Sequence, residues 1–267
     1  MGERGLITAI ALVCALTPLS AFASAWNPEK GKGEIITGFV YAKADEAISS
    51  AGDRVDLSLY RKTISQTYAN LGLTDRIALV GTFDLQDTQI IGPDVAISFF
   101  KPSTISAGLQ YQLSRREGHA VSLSLSYVDG IDLPAQLLTI ENREPAIELR
   151  GLWGESRSIL SRNMFAEVQL AGRAYLDGQY ASAHSEITLG VEPTDRIMLL
   201  TKGRLTHIGS GTFQGFPLSS QTRWESESSI VYRFRNSEYI EFGYTTILGG
   251  ENTVLESGLK LGFWKKF

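Results

Sequence analysis

Acidic and basic residues recur at a spacing of two through the second half of this sequence. Glu148 and Arg150 stand two apart, as do Lys202 and Arg204, and Glu225 and Glu227. On an extended strand that spacing puts both side chains on one face. The candidates for such inward faces are Glu148, Arg150, Lys202, Arg204, Glu225, Glu227, Arg233, Glu241, Glu256 and Lys260. Glu167 and Arg173, of odd parity, join them if the register of their strand is shifted. Facing a polar interior, interleaved acids and bases can orient and select a polar or charged solute by rings of side chains. The same set can instead form a cross-strand lattice that fills a narrow interior, each pair adding ~0.2–1 kcal/mol. Both readings stay open, and they overlap.

Nucleophilic and metal chemistry have less to work with. The histidines are His119, His184 and His207. Ser210 follows His207 closely, but a nucleophile and its base need hydrogen-bond reach and a third group to orient the base. His207 and Ser210 have opposite parity, and no Asp or Asn stands out as the third member. Parity points His207 at lipid near the loop side, sets His184 with the inward Glu186, and puts His119 beside the turn at Gly118. No metal-ligand spacing links the three. Catalytic residues, metals and cofactors are therefore not expected. A formal net charge of -4, with 20% charged residues and no basic cluster, also argues against a nucleic-acid partner.

The elements that would position these charges begin after an export signal. Arg4 and the free amine precede an apolar stretch from Leu6 to Leu19, and small residues follow. Ala23-x-Ala25 fits a signal-peptidase site with cleavage before Trp26, and cleavage after Ala23 is a close alternative. The apolar run falls short of the ~20 residues a spanning helix needs. The expected organisation is a signal peptide over 1–25 and one domain over 26–267. Cys14, the only cysteine, lies inside the signal, so the mature chain is expected to hold no disulfide.

The mature region alternates with period two, strand after strand. In 119–129, Val121, Leu123, Leu125 and Tyr127 oppose Ala120, Ser122, Ser124 and Ser126. The pattern predicts strands at 33–44, 54–73, 76–87, 104–114, 119–129, 143–154, 163–175, 180–191, 196–207, 219–234, 238–248 and 252–267. Tight turns at Thr74-Asp75, Glu117-Gly118, Pro193-Thr194-Asp195 and Asn236-Ser237 alternate with long loops at 45–53, 88–103, 130–142 and 208–218. The loops are unusually apolar: Ile97, Phe99 and Phe100 lie in one, Leu133, Leu137, Leu138 and Ile140 in another, Phe213 and Phe216 in a third. They either cap the interior or meet a partner. If 92–101 is itself a strand, the strand count changes.

This is the signature of an all-β, antiparallel up-and-down transmembrane barrel of about twelve strands, with its turns in the periplasm. Aromatics on the apolar face gather near strand ends, as interfacial girdles do: Phe83, Tyr127 and Trp224 toward the loops, Trp153, Tyr232, Phe234 and Phe263 toward the turns. Lipid offers backbone groups no water, so only helices or closed barrels span it. Leu255, Leu259, Leu261, Phe263 and Phe267 share one parity to the last residue. A terminal strand carrying Phe263 and Phe267 resembles the assembly signal of outer-membrane barrels, except that Lys265 stands where that signal has another bulky apolar residue.

Four stretches resemble a family of uncharacterised proteobacterial outer-membrane proteins, some associated with exopolysaccharide production. They are Ala25-Trp-Asn-Pro-Glu-Lys-Gly-Lys-Gly33, Gly72-Leu-Thr-Asp-Arg76, Glu148-Leu-Arg-Gly-Leu-Trp-Gly154 and Leu248-Gly-Gly with Leu261-Gly-Phe-Trp-Lys-Lys-Phe267. The resemblance implies a barrel in the outer membrane and no established substrate. The expected function is a non-enzymatic narrow channel or export accessory for small polar or saccharide solutes. The alternatives are a structural or envelope-interaction barrel with a closed lumen, and a lipid-active outer-membrane enzyme. Expected partners are outer-membrane lipid and lipopolysaccharide, the barrel-assembly machinery and a small polar solute. The expected location is the Gram-negative outer membrane, with both termini in the periplasm.

Overall fold

A computed structural model of the chain describes residues 24–92, 95–130, 144–159, 162–176, 180–213 and 216–267. The signal peptide expected over 1–25 lies outside them except for Ser24 and Ala25. The strands are β1 (Gly33–Ile48), β2 (Arg54–Gly72), β3 (Ile77–Gly92), β4 (Val95–Arg116), β5 (His119–Gly130), β6 (Glu144–Ile159), β7 (Arg162–Tyr175) and β8 (Ala181–Thr194). They continue as β9 (Ile197–Ile208), β10 (Gly211–Phe213), β11 (Phe216–Leu218), β12 (Gln221–Arg235), β13 (Glu238–Glu251), β14 (Thr253–Val254) and β15 (Ser257–Lys266).

Twelve of them pair antiparallel in the order β1-β2-β3-β4-β5-β6-β7-β8-β9-β12-β13-β15, and β15 pairs back onto β1. The sheet is a closed barrel. Closure leaves no unpaired edge, which a strand in hydrocarbon cannot tolerate. The fragment β14 extends the closing seam by pairing with the far end of β1, and β10 with β11 forms a separate small hairpin.

Three expected loops change form. The segment 88–103 is strand: β3 runs to Gly92 and β4 resumes at Val95, with Gln89 opposite Ser98 and Ile91 opposite Ala96. It joins the strand over 104–114, so the count stays at twelve. Pro102 makes the sequence read as a break, but it sits at a bulge where Asp84 pairs with Thr104 and Leu85 with Pro102, a position a strand allows proline. The expected loop 45–53 shrinks to a turn between Ile48 and Arg54. The loop 208–218 folds as the β10–β11 hairpin. Beyond Gly130, the loop 130–142 lies outside the described residues, and so do its four apolar side chains. The expected last strand 252–267 is broken at Leu255 and Glu256, after Gly250 (φ 153°) and Asn252 (φ 57°).

Register decides which parity faces inward. A turn of two residues makes the paired numbers sum to an odd value, which switches the inward parity. A bulge then switches it back. Two residues separate β4 from β5, and the pairing shifts between Gln112 and Ser114, leaving Leu113 extra. Bulges restore parity in the same way between β3 and β4, β8 and β9, and β12 and β13. Between β6 and β7 no shift occurs, so Glu148 pairs with Arg173 and Arg150 with Ala171. Inward positions on β7 are therefore odd.

The outer wall is apolar. Leu125 is 57% exposed, Leu149 57% and Leu259 70%, while the alternating Ser124, Glu148 and Lys260 are buried. Phe83, Tyr127, Trp224, Trp153, Tyr232, Phe234 and Phe263 all lie on the outside. The interior is layered. An apolar cluster of Ile36, Tyr68, Leu200, Val231 and Trp264 lies toward the turn end. Paired charges fill the middle. Toward the loop end Tyr175 stacks on Tyr180 at 4.0 Å, beside Val128, Ala146 and Ile208.

Candidate functional site

The charges meet because strands of matched register carry them to one level of the lumen. Arg204 on β9 pairs directly with Glu186 on β8 and with Glu225 on β12. Its guanidinium donates to three carboxylates: Glu186 at 2.6 Å, Glu227 at 2.9 Å, and Glu225. Only arginine has enough donors in a fixed fork for this. Lys260 on β15 continues the lattice, reaching Glu227 at 2.7 Å and Glu241 at 3.1 Å. To touch Glu227 it must pass over the intervening β13. Gly243 stands there, and a Cβ at that position would lie 2.9 Å from the Cβ of Ser229 and 3.5 Å from that of Lys260. The remaining bonds to Glu241 come from Ser229 (2.7 Å) and from the indole N–H of Trp264 (3.1 Å).

A second cluster sits on β6 and β7. Glu148 accepts from Arg150 and from Arg173, both at 2.9 Å, and Arg150 also donates to Gln169 at 2.7 Å. A third pair, Lys62 with Glu256, lies under the closing seam. Buried charges at this density require near-complete pairing, since each desolvated ion costs several kcal/mol that only a partner offsets.

Of the residues singled out from sequence, Glu148, Arg150, Arg173, Lys202, Arg204, Glu225, Glu227, Glu241, Glu256 and Lys260 all point inward and are buried. Arg233 is half-buried near the turn end of β12, two residues from the buried Val231. Glu167 is half-buried and belongs to the vestibule rather than to the lattice. Glu186, expected inward beside His184, is a lattice member, while Lys62 and Arg223 are members absent from the expected set. Parity could have found them: Lys62 alternates with the apolar face of β2, and Arg223 stands two before Glu225.

Phe263 and Phe267 lie outside, 45% and 49% exposed. Phe267 exchanges backbone hydrogen bonds with Gly33, at 2.9 and 3.0 Å, so the last residue helps close the barrel. Lys265, between them in parity, pairs with Glu238 at the turn end. The exposed His207 bonds to Thr222 at 2.9 Å. His184 bonds to Ser182 and Thr206 inside, and His119 faces Glu155 at 3.3 Å. Among the described residues no group of His, Cys, Asp or Glu has the arrangement of a metal site.

At the turn end the interior opens into a cavity of about 510 Å³. Its wall combines Trp26, Phe165 and Trp264 with Glu34, Glu167 and Glu192, and its floor reaches Glu186 and Lys202 of the lattice. The vestibule and the lattice therefore share Glu186 and Lys202.

No family model and no curated protein matches the sequence. Solved structures do. An outer-membrane channel from Pseudomonas putida F1 superposes with a TM-score of 0.68 at 14% identity, covering 94% of this chain and all of that one. The translocator domain of the autotransporter NalP from Neisseria meningitidis gives 0.53 at 10% identity, covering 90% of each chain. The β-domain of the Bordetella autotransporter BrkA gives 0.50 at 13% identity, covering 89% of this chain and all of that one. The fold is that of an outer-membrane β-barrel. At these identities the likeness concerns the fold alone, which the neighbours put to different uses.

Proposed function

We propose that this protein is a narrow outer-membrane channel for small polar solutes, acting as a pore or as an accessory to export. The carrying observation is the cavity at the turn end, whose lining runs from Trp26 and Glu167 to Glu186 and Lys202, two members of the buried charge lattice. Rings of mixed charge recognise polar solutes while keeping each residue partnered when the path is empty. Aromatic faces beside carboxylates in the vestibule also suit the apolar faces and hydroxyls of saccharides. The turns and both ends of the chain face the periplasm in this reading, and the aromatic girdles sit at the two interfaces. In this reading the role is non-enzymatic.

A closed structural barrel is the second reading. The observation favouring it is the cluster of Ile36, Tyr68, Leu200, Val231 and Trp264, which joins β1 and β2 to β9 through the interior. Conductance of refolded protein in planar bilayers decides between the two. Discrete current steps are expected for the channel, and their absence would establish the closed barrel. Replacing Arg204 by Met should make the steps more cation-selective, because Glu186, Glu225 and Glu227 lose the cation they share.

A further inference from the structure

The segment before β1 is built into the barrel wall. Residues 24–30 run along the inner face at the turn end, from Lys30 beside Gly72 to Ser24 beside β7. Barrel side chains take up its carbonyls one after another. Gln110 donates to the Ser24 carbonyl at 2.7 Å. Gln112 at 3.1 Å and Ser122 at 2.7 Å both donate to that of Ala25. Arg115 donates to that of Asn27 at 3.2 Å. Asn27 is itself buried, and its amide donates to the carbonyl of Arg76 at 2.9 Å. Ala25 is 1% exposed and packs with Ala120 and Leu152. Gly154, inward on β6, leaves the space that the Trp26 indole occupies.

Near Ser24 the strap meets an acid. The Ser24 hydroxyl donates to Glu167 at 3.0 Å. Glu167 also accepts from the backbone N–H of Ala25 and feels the charge of Lys202, which itself lies 3.7 Å from Glu227.

We infer that export processing cuts after Ala23, and that the new α-ammonium of Ser24 is the counter-ion of Glu167, fixing residues 24–30 as a permanent lining of the vestibule. Cutting before Trp26, the other site the small residues allow, removes Ser24 and Ala25. Gln110, Gln112, Ser122 and Glu167 would then each lose a bond to the strap, and a charged amine would stand beside the apolar pocket that Ala25 fills. Cutting after Ala23 keeps every one of these contacts. It also creates a cation on the residue whose side chain already touches Glu167. The same seven residues form one side of the cavity through Ser24 and Trp26, so the cut position sets the width of the mouth.

The inference does not depend on whether the lumen conducts. Intact-mass measurement of the protein extracted from outer membranes should give the mass of residues 24–267, with an N-terminal serine. A mass starting at Trp26, or one that retains the leader, would overturn it. The pairing with Glu167 is tested separately, with an aldehyde reagent specific for N-terminal amines. Labelling of the folded barrel should be many-fold slower than that of the unfolded chain, and Glu167→Gln should speed it several-fold. Equal rates in folded and unfolded protein, or a variant that labels at the native rate, would show that the amine is not held by the acid.

Discussion

Two adjacent side chains can differ completely in what they meet. Leu125 faces hydrocarbon at 57% exposure, and the next inward position, Ser126, is buried opposite Glu148. Leu125→Arg should cost ~2–4 kcal/mol near the membrane midplane, read from denaturant-dependent folding into lipid vesicles. A cost below ~1 kcal/mol would place Leu125 away from lipid. Inside, the energetics turn on pairing. Glu227 accepts from Arg204 and from Lys260, and lies 3.7 Å from Lys202. Glu227→Gln leaves those cations short of a counter-charge, and removing one partner from a buried pair costs ~3–5 kcal/mol. The same folding assay should show the loss, while Ser124→Ala, on the same buried wall, should be near neutral.

At the scale of the strand, register carries the information. Lys260 reaches over β13 only because Gly243 has no side chain. Gly243→Val should therefore break the bridge from Lys260 to Glu227 with little change in strand pairing. The expected signature is a sub-additive loss: in the Gly243→Val background Lys260→Met should cost less than it does alone, because only its bridge to Glu241 is left to lose. Additive losses would mean that glycine serves the strand in some other way. The closing strand makes a kinetic prediction. Deleting Phe267 removes its two backbone bonds to Gly33 and the ring beside that glycine. Insertion, followed by the appearance of the compact heat-modifiable band in electrophoresis, should slow. Native kinetics would show that the seam closes without its last residue.

For the whole molecule, the barrel is filled differently at each height: a strap and apolar side chains at the turn end, ion pairs in the middle, tyrosines toward the loops. A solute would meet aromatic rings and carboxylates before it meets the lattice. Fractionation should recover the protein with outer membranes. Recovery as a soluble periplasmic protein would contradict the apolar outer wall on which the membrane assignment rests.

The alternation of apolar and polar residues by itself determined the fold class, the lipid-facing side of 119–129 and most of the inward charges, because a period of two leaves a side chain only two faces to choose between. Tertiary structure decided what that local rule cannot see. Parity inverts at two-residue turns unless a bulge such as Leu113 restores it, and longer connections can also switch it, so the inward face of β7 depends on pairing with β6 rather than on its own residues. Pro102 marks a break in sequence, yet its strand continues because the bulge lies beside it. Nor does any short-range pattern bring Ser24 to Glu167, 143 residues apart. Only closing the barrel folds β7 round to meet the strap.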